Sequence, residues 1–135
     1  MTRTTNNCID RDTAEGLIRR RAKQAAANFE DAKAKFTEDF ATNPKYAIEW
    51  HAEKVARAQA YHEWWLKIAD VLDRRGVEEA VTYAAERIEI EIDSFFGSNS
   101  TCLWTNALRR VEIEVYHALA RREMRDLRDA ATIAH

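Results

Sequence analysis

The chain has 135 residues, the size of one ordinary domain, of which 46% are hydrophobic and 33% are charged. This balance excludes intrinsic disorder, because the apolar surface is large enough to offset the entropy cost of folding. Three glycines and one proline supply too few turns for a sandwich or barrel of short strands, which excludes an all-β fold. The net charge of −2 argues against a globally basic, polyanion-binding surface.

The cellular compartment is inferred from the cysteines and from the missing apolar segments. Cys8 and Cys102 lie far apart in the sequence, without the CxxC spacing of a zinc or redox site. Free thiols in a reducing cytosol are therefore favoured over a disulfide. The N-terminal residues lack the apolar core of a secretory signal, and no run of about eighteen apolar residues occurs. We expect a cytoplasmic protein with no membrane contact.

The first eleven residues are polar and aperiodic, which predicts a flexible arm at 1–11 and one helical domain at 12–135. Asp12 or Thr13 can cap a first helix of about thirty residues that ends at Thr42 and Asn43. Its apolar residues recur at alternating spacings of mostly three and four: Ile18, Ala22, Ala25, Phe29, Ala32, Phe36 and Phe40.

Helix two is predicted from Pro44 to Arg75, with Gly76 as a left-handed C-cap. Its main apolar seam comprises Ile48, His51, Val55, Ala58, His62, Trp65, Ala69 and Leu72. A second stripe about 100° away comprises Tyr46, Trp50, Tyr61, Trp64, Ile68 and Val71. Two stripes indicate a central helix or an interface helix.

Helix three is predicted from Val77 to Phe96, with a loop at 97–100. Helix four is predicted from about Thr101 until it frays after Arg128, and its seam includes Val111, Val115, Leu119 and Arg122. Residues 87–92 and 110–115 alternate with period two, so a short β-hairpin within 87–116 is the alternative. Helix is favoured, because strong helix formers flank both stretches and an isolated hairpin is marginal. The expected fold is all-α, with four long helices in a mainly antiparallel bundle.

The surplus of apolar faces predicts association with a second copy or a protein partner. Trp64 and Trp65 point about 100° apart on a helix, so we expect Trp65 in the core and Trp64 at an interface. The predicted interface residues are Trp50, Tyr61, Trp64, Ile68, Ile113, Tyr116 and Leu127. The alternative is a tightly wrapped monomer in which helix two is surrounded by the other helices.

Two arginine clusters give a second functional hypothesis, a helical subunit that contacts nucleic acid. The candidate contacts are Arg19, Arg20, Arg21, Arg121, Arg122 and Arg125. Trp50, Lys54, Arg57 and Tyr61 also interleave rings and cations along one stripe, as a stacking platform for single strands does. The same pattern occurs where basic side chains lie over rings at protein interfaces, which we favour here.

A third hypothesis is a dimeric helical enzyme. Glu114 and His117 form an E-x-x-H pair like that of di-iron bundles, although a second such motif would have to come from another copy. Arg57 with His62, and Arg110 with His117, have a spacing similar to that of helical ribonucleases of the HEPN type.

The departures from these motifs favour a protein without catalysis. Ala58 and Val111 stand where the HEPN-type pattern has a polar residue, and no phosphate loop or nucleophile elbow occurs. His51 and His62 are expected to be core or interface histidines bonded to a neighbour. We predict no catalytic residue, metal or cofactor, and expect a non-catalytic interaction, regulatory or accessory subunit.

Overall fold

The computed structural model describes residues 13–96 and 103–133, and the side chains of residues 13–93 and 109–131. The predicted arm at 1–11, the loop at 97–100 and both cysteines lie outside the described residues. The predicted all-α class is confirmed, with helices α1 (Ala14–Thr42), α2 (Pro44–Arg75), α3 (Val77–Phe96), α4 (Leu103–Ala118) and α5 (Met124–Ile133). A π-helical turn, Leu119–Glu123, joins α4 to α5, so the predicted fourth helix continues through both.

Polar side chains cap the first two helices, and the sequence predicts the first of these caps. The hydroxyl of Thr13 accepts a hydrogen bond from the Gly16 N–H at 3.1 Å at the start of α1. Asn43 ends α1 by donating its N–H to the Asp39 carbonyl at 2.8 Å. Its side chain then accepts from the Tyr46 N–H at 3.2 Å and starts α2. A single residue therefore reverses the chain between two long helices.

Gly76 connects α2 and α3 in a conformation that differs in part from the predicted cap. Its φ of 94° has the expected sign, but its ψ of 174° is extended rather than helical. This region of backbone conformation is essentially confined to glycine. The Gly76 N–H donates to the Leu72 carbonyl at 3.0 Å, and its carbonyl accepts from the Ala80 N–H at 3.1 Å. One glycine thus ends α2 and begins α3.

The two stretches with period-two alternation are helical, which confirms the preference for helix over a hairpin. Along α3, Ala80, Ala84 and Ile88 are buried four residues apart, whereas Ile90 is 56% exposed. Val111 and Val115 repeat this spacing in α4. The helical period, and not the alternation, therefore decides which side chains are buried.

The central helix is α2, which packs against α1, α3 and α4, while α1 also packs against α5. The core is concentrated where α1 begins and α2 ends. Its largest fully buried side chains are Ile18, Trp64, Trp65, Ile68, Val115, Leu119 and Leu127. Between Ala25 and Trp64, Ala47 is the one buried hydrophobic residue. The distal part of the α1–α2 hairpin, opposite the core, is therefore thinly covered.

The π turn was not predicted, and it corrects the expected seam of the fourth helix. The Met124 N–H donates to the Leu119 carbonyl, five residues back rather than four. The buried series therefore jumps from Leu119 to Met124 and then Leu127, while Arg122 is exposed instead of lying on the seam. The helix also continues to Ile133 rather than fraying after Arg128.

Candidate functional site

One face of α2 lies in the core near the C-terminal end of the helix and is exposed to solvent near the N-terminal end. Residues at heptad-like spacing along this face are Tyr46, Trp50, Arg57, Tyr61, Trp64 and Ile68. Trp64 and Ile68 are 1% and 0% exposed, whereas Tyr46 and Trp50 are 46% and 62% exposed. The other helices cover this apolar face only along its C-terminal part.

Large apolar side chains cluster at the distal end of the α1–α2 hairpin. Phe40, Tyr46, Ile48 and Trp50 lie within about two turns of Asn43 and are all exposed. We name these four residues the tip patch. The rings of Tyr46 and Trp50 lie 6.4 Å apart between centroids. Exposed rings that lie side by side, as Tyr46 and Trp50 do, are typical of an interaction site.

A histidine–carboxylate pair braces the hairpin beneath the tip patch. The Nε2 atom of His51 on α2 lies 2.8 Å from Oδ2 of Asp39 on α1, and both side chains are mostly buried. Tyr46 meets the His51 ring edge-on, with centroids 5.6 Å apart. His62 instead stacks on Phe29 of α1 at 5.4 Å. Both histidines therefore lie at the α1–α2 interface, as the sequence predicts. The predicted hydrogen bonds are not formed by His51 Nε2 or His62 Nδ1, which are buried without a hydrogen-bond partner among the described residues.

An open cleft lies between the tip patch and the core, with a volume of about 540 Å³. Its α1 wall carries the polar side chains of Arg21, Gln24 and Asn28, beside Ala25. The α2 floor consists of Lys54, Arg57, Ala58, Tyr61 and Trp65, and Glu123 of the π turn closes one end. Three residues of the stripe noted in the sequence, Lys54, Arg57 and Tyr61, thus line a concave site, whereas Trp50 lies outside it.

Ion pairs hold the walls of the cleft in place. Arg21 pairs with Glu123 and also with Asp126 at 3.1 Å, which fixes α1 to the π turn and α5. Arg57 pairs with Glu114 of α4 at 2.9 Å and with Glu53 at 3.6 Å. Burial raises the pKa of Glu123, and the neighbouring Arg21 opposes that rise.

Lys54 is the cation of the cleft that has no ion pair within the described residues. Burial raises the pKa of the nearby Tyr61 hydroxyl, so Tyr61 remains a neutral hydrogen-bonding group at physiological pH. Gln24 donates a hydrogen bond to Asn28 at 2.9 Å, so the two amides present a joined polar edge along the α1 wall.

Three predicted interface residues are core residues, and the prediction is wrong for them. Trp64 and Ile68 are buried because α1, α3 and the fourth helix surround this part of α2. Leu127 is fully buried because the π turn rotates α5 by about one residue, or roughly 100°, relative to α4. For these residues, the wrapped-monomer alternative gives the better description.

The other predicted interface residues lie closer to the surface. Trp50 is the most exposed large hydrophobic residue in the described part of the chain. Tyr61 and Tyr116 are half-buried against the core, and Ile113 is also half-buried. Tyr116 lines a second, smaller cavity with Glu63 and Glu112, and burial raises its pKa to about 12. Their role at an interface stays a prediction.

Arg21 of the first arginine cluster reaches Glu123 and Asp126 beside the second cluster, and both clusters are mixed with carboxylates. Arg19 pairs with Asp73 at 2.9 Å and with Glu15, Arg21 pairs as described above, and Arg125 lies 3.7 Å from Asp126. Arg20, Arg121 and Arg122 are exposed. These pairs neutralise part of the charge that a phosphate backbone would need. Nucleic-acid contact through these arginines stays a prediction.

The candidate catalytic pairs are separated or engaged elsewhere. Arg57 faces Glu114 of α4, whereas His62 stacks on Phe29 of α1, so this HEPN-like pair is divided between two faces of α2. Glu114 of the E-x-x-H pair is the partner of Arg57, and His117 is exposed. Within residues 13–96 and 103–133, no three potential metal-ligating side chains of the His, Cys, Asp or Glu type come together.

No protein-family model matches this chain, and no curated protein or solved structure matches it either. In the described part of the chain, none of the helices combines the length and apolar character needed to span a membrane. The tip patch and the cleft are therefore the features from which a function is inferred.

Proposed function

We propose that the protein is a non-catalytic interaction subunit that associates through the tip patch, and that its first partner is a second copy of itself. The observation that carries this proposal is the continuation of the α2 core face into open solvent, where Trp50 is 62% exposed. Covering this side chain would remove a large apolar surface from water, and aromatic residues dominate the energetics of protein interfaces.

The charges beside the tip patch support a partner of balanced charge. Lys45 lies 4.0 Å from Glu49 on α2, and Glu53 follows one turn later beside Arg57. A strongly acidic or basic partner would meet like charges on such a surface, whereas a second copy presents both signs. An antiparallel apposition of two hairpin ends would then cover Tyr46 and Trp50 of each copy.

Sedimentation velocity over a wide range of protein concentrations tests this proposal. We expect the wild type to associate reversibly, and Trp50→Ser to sediment as a monomer with an unchanged helical circular dichroism spectrum. Leu66→Ser is the matched control, because Leu66 is 55% exposed on the same helix but lies outside the tip patch. This control should associate like the wild type.

A wild type that stays monomeric at every concentration would overturn self-association. A photo-crosslinking residue at position 50, with position 66 as its control, would then show whether another protein covers the tip patch in the host cell. Equal loss of association in Trp50→Ser and Leu66→Ser would also contradict the proposal, since it would indicate nonspecific apolar contact.

A further inference from the structure

The cleft between α1, α2 and the π turn is distinct from the tip patch and has the properties of a small-ligand site. Its volume of about 540 Å³ falls within the usual range for such sites. Ala25, Ala58 and the rings of Tyr61 and Trp65 form an apolar base, and polar side chains surround it. Apolar lining with a few convergent polar groups is typical of ligand-binding clefts.

The charges of the cleft define which ligand it can take. Arg21 and Arg57 are each shared between two carboxylates, so their charges are largely compensated by the protein. Lys54 lies on the floor beside Arg57 without an ion pair in the described residues, and Glu123 is engaged by Arg21. Among the cations that line the cleft, Lys54 is therefore the one left without an ion pair in the described residues, and it lies next to the apolar base.

We propose that this cleft binds a small organic monoanion with a flat apolar body, such as an aryl carboxylate, aryl sulfonate or aryl phosphodiester. The apolar body packs against Ala58 and Tyr61, and the anionic group pairs with Lys54 at the open end. The Tyr61 hydroxyl and the Gln24 and Asn28 amides supply further hydrogen bonds. The braced walls mean that little rearrangement accompanies binding.

A matched pair of fluorescent probes tests this inference. 8-Anilinonaphthalene-1-sulfonate carries a naphthalene body and one negative charge, and N-phenyl-1-naphthylamine has the same rings without the charge. We expect the anionic probe to bind the wild type with one site per chain. We expect Lys54→Met to lower the affinity of the anionic probe by roughly tenfold, which corresponds to the loss of one charge-assisted contact. The same substitution should leave the affinity of the neutral probe unchanged.

Two control variants locate the binding. Lys67→Met removes an exposed lysine from another face of α2 and should leave both affinities unchanged. Trp50→Ser removes the main ring of the tip patch and should also leave them unchanged, so this result does not depend on the proposed self-association. Rising salt concentration should weaken binding of the anionic probe to the wild type, but not to Lys54→Met.

Several results would overturn the inference. They are no saturable binding to the wild type, equal affinity of the anionic probe for wild type and Lys54→Met, or loss of binding in Trp50→Ser. The last result would assign the probe to the tip patch. Because Lys54 is exposed, circular dichroism should confirm that Lys54→Met keeps the wild-type fold.

Discussion

The adjacent indoles of Trp64 and Trp65 meet edge to face, with ring centroids 4.7 Å apart and exposures of 1% and 2%. Both fill the core, so Trp64→Ala and Trp65→Ala should each lower the free energy of unfolding by about 3–5 kcal/mol. Trp50→Ala is the control and should change it by less than about 0.5 kcal/mol, because the side chain is largely exposed. Urea denaturation monitored by circular dichroism measures all three. A Trp64→Ala variant as stable as the wild type would contradict the assignment.

Burial and neighbouring charges at Glu112 predict that the stability of the fold depends on pH. Burial raises its pKa, Glu91 and Glu63 raise it further, and Arg109 opposes them. A carboxyl whose folded-state pKa exceeds its unfolded value binds protons more tightly when folded. The contribution of Glu112 to the free energy of unfolding is therefore complete below its unfolded-state pKa, and it is lost as the pH rises through its folded-state pKa.

Glu112→Gln should remove this loss. We expect a gain of up to about 0.5 kcal/mol near neutral pH, since the side chain is partly solvated, and no gain in acid below the unfolded carboxyl pKa. Thermal unfolding at both pH values measures the difference. Glu89→Gln, on the exposed side of α3, is the control. A gain of equal size at both pH values would argue against a titration effect.

At the scale of elements, the π turn behaves as a one-residue insertion in a continuous helix. Deletion of the exposed Arg121 within the turn should convert it to ordinary α-helix, because Leu119 and Met124 would then be four residues apart. Deletion of the exposed Arg125 removes the same charge but leaves Leu119 and Met124 five residues apart, so either Met124 or the pair Leu127 and Ala130 loses its place in the core. We expect cooperative unfolding near the wild-type stability for the first variant and a loss of several kcal/mol for the second. An equal loss of stability in both variants would contradict this expectation, because it would show that the fold requires the π turn itself.

At the scale of the whole molecule, stability should decrease from the core towards the end of the hairpin. Residues 64–72 lie in the fully packed region, whereas residues 28–42 and 44–52 contain one buried hydrophobic residue, Ala47. Amide hydrogen exchange followed by mass spectrometry should therefore show slow exchange at 64–72 and faster exchange at 30–52. At a protein concentration high enough to favour association, amide hydrogen exchange at 44–52 should become slower. Uniform protection along α2 in a monomer would contradict this gradient.

Local interactions explain how much of the fold is predictable from the sequence. Apolar spacing, the Asn43–Pro44 junction and the position of Gly76 place the ends of the first three helices where the structure has them. These signals depend on backbone hydrogen bonds and side chains within a few residues. The same spacing indicates the stripe of rings and cations from which Lys54, Arg57 and Tyr61 form the floor of the cleft.

The tertiary structure alone decides which parts of each stripe are covered. Both Trp50 and Trp64 lie on one face of α2, and only the arrangement of α1, α3 and the fourth helix leaves the first exposed and the second buried. The π turn likewise depends on packing, since its five-residue step lets Leu119 and Leu127 reach the same core. A sequence determines the periodicity of its helices through local geometry. Burial depends on distant contacts, and these separate the exposed tip patch from the core.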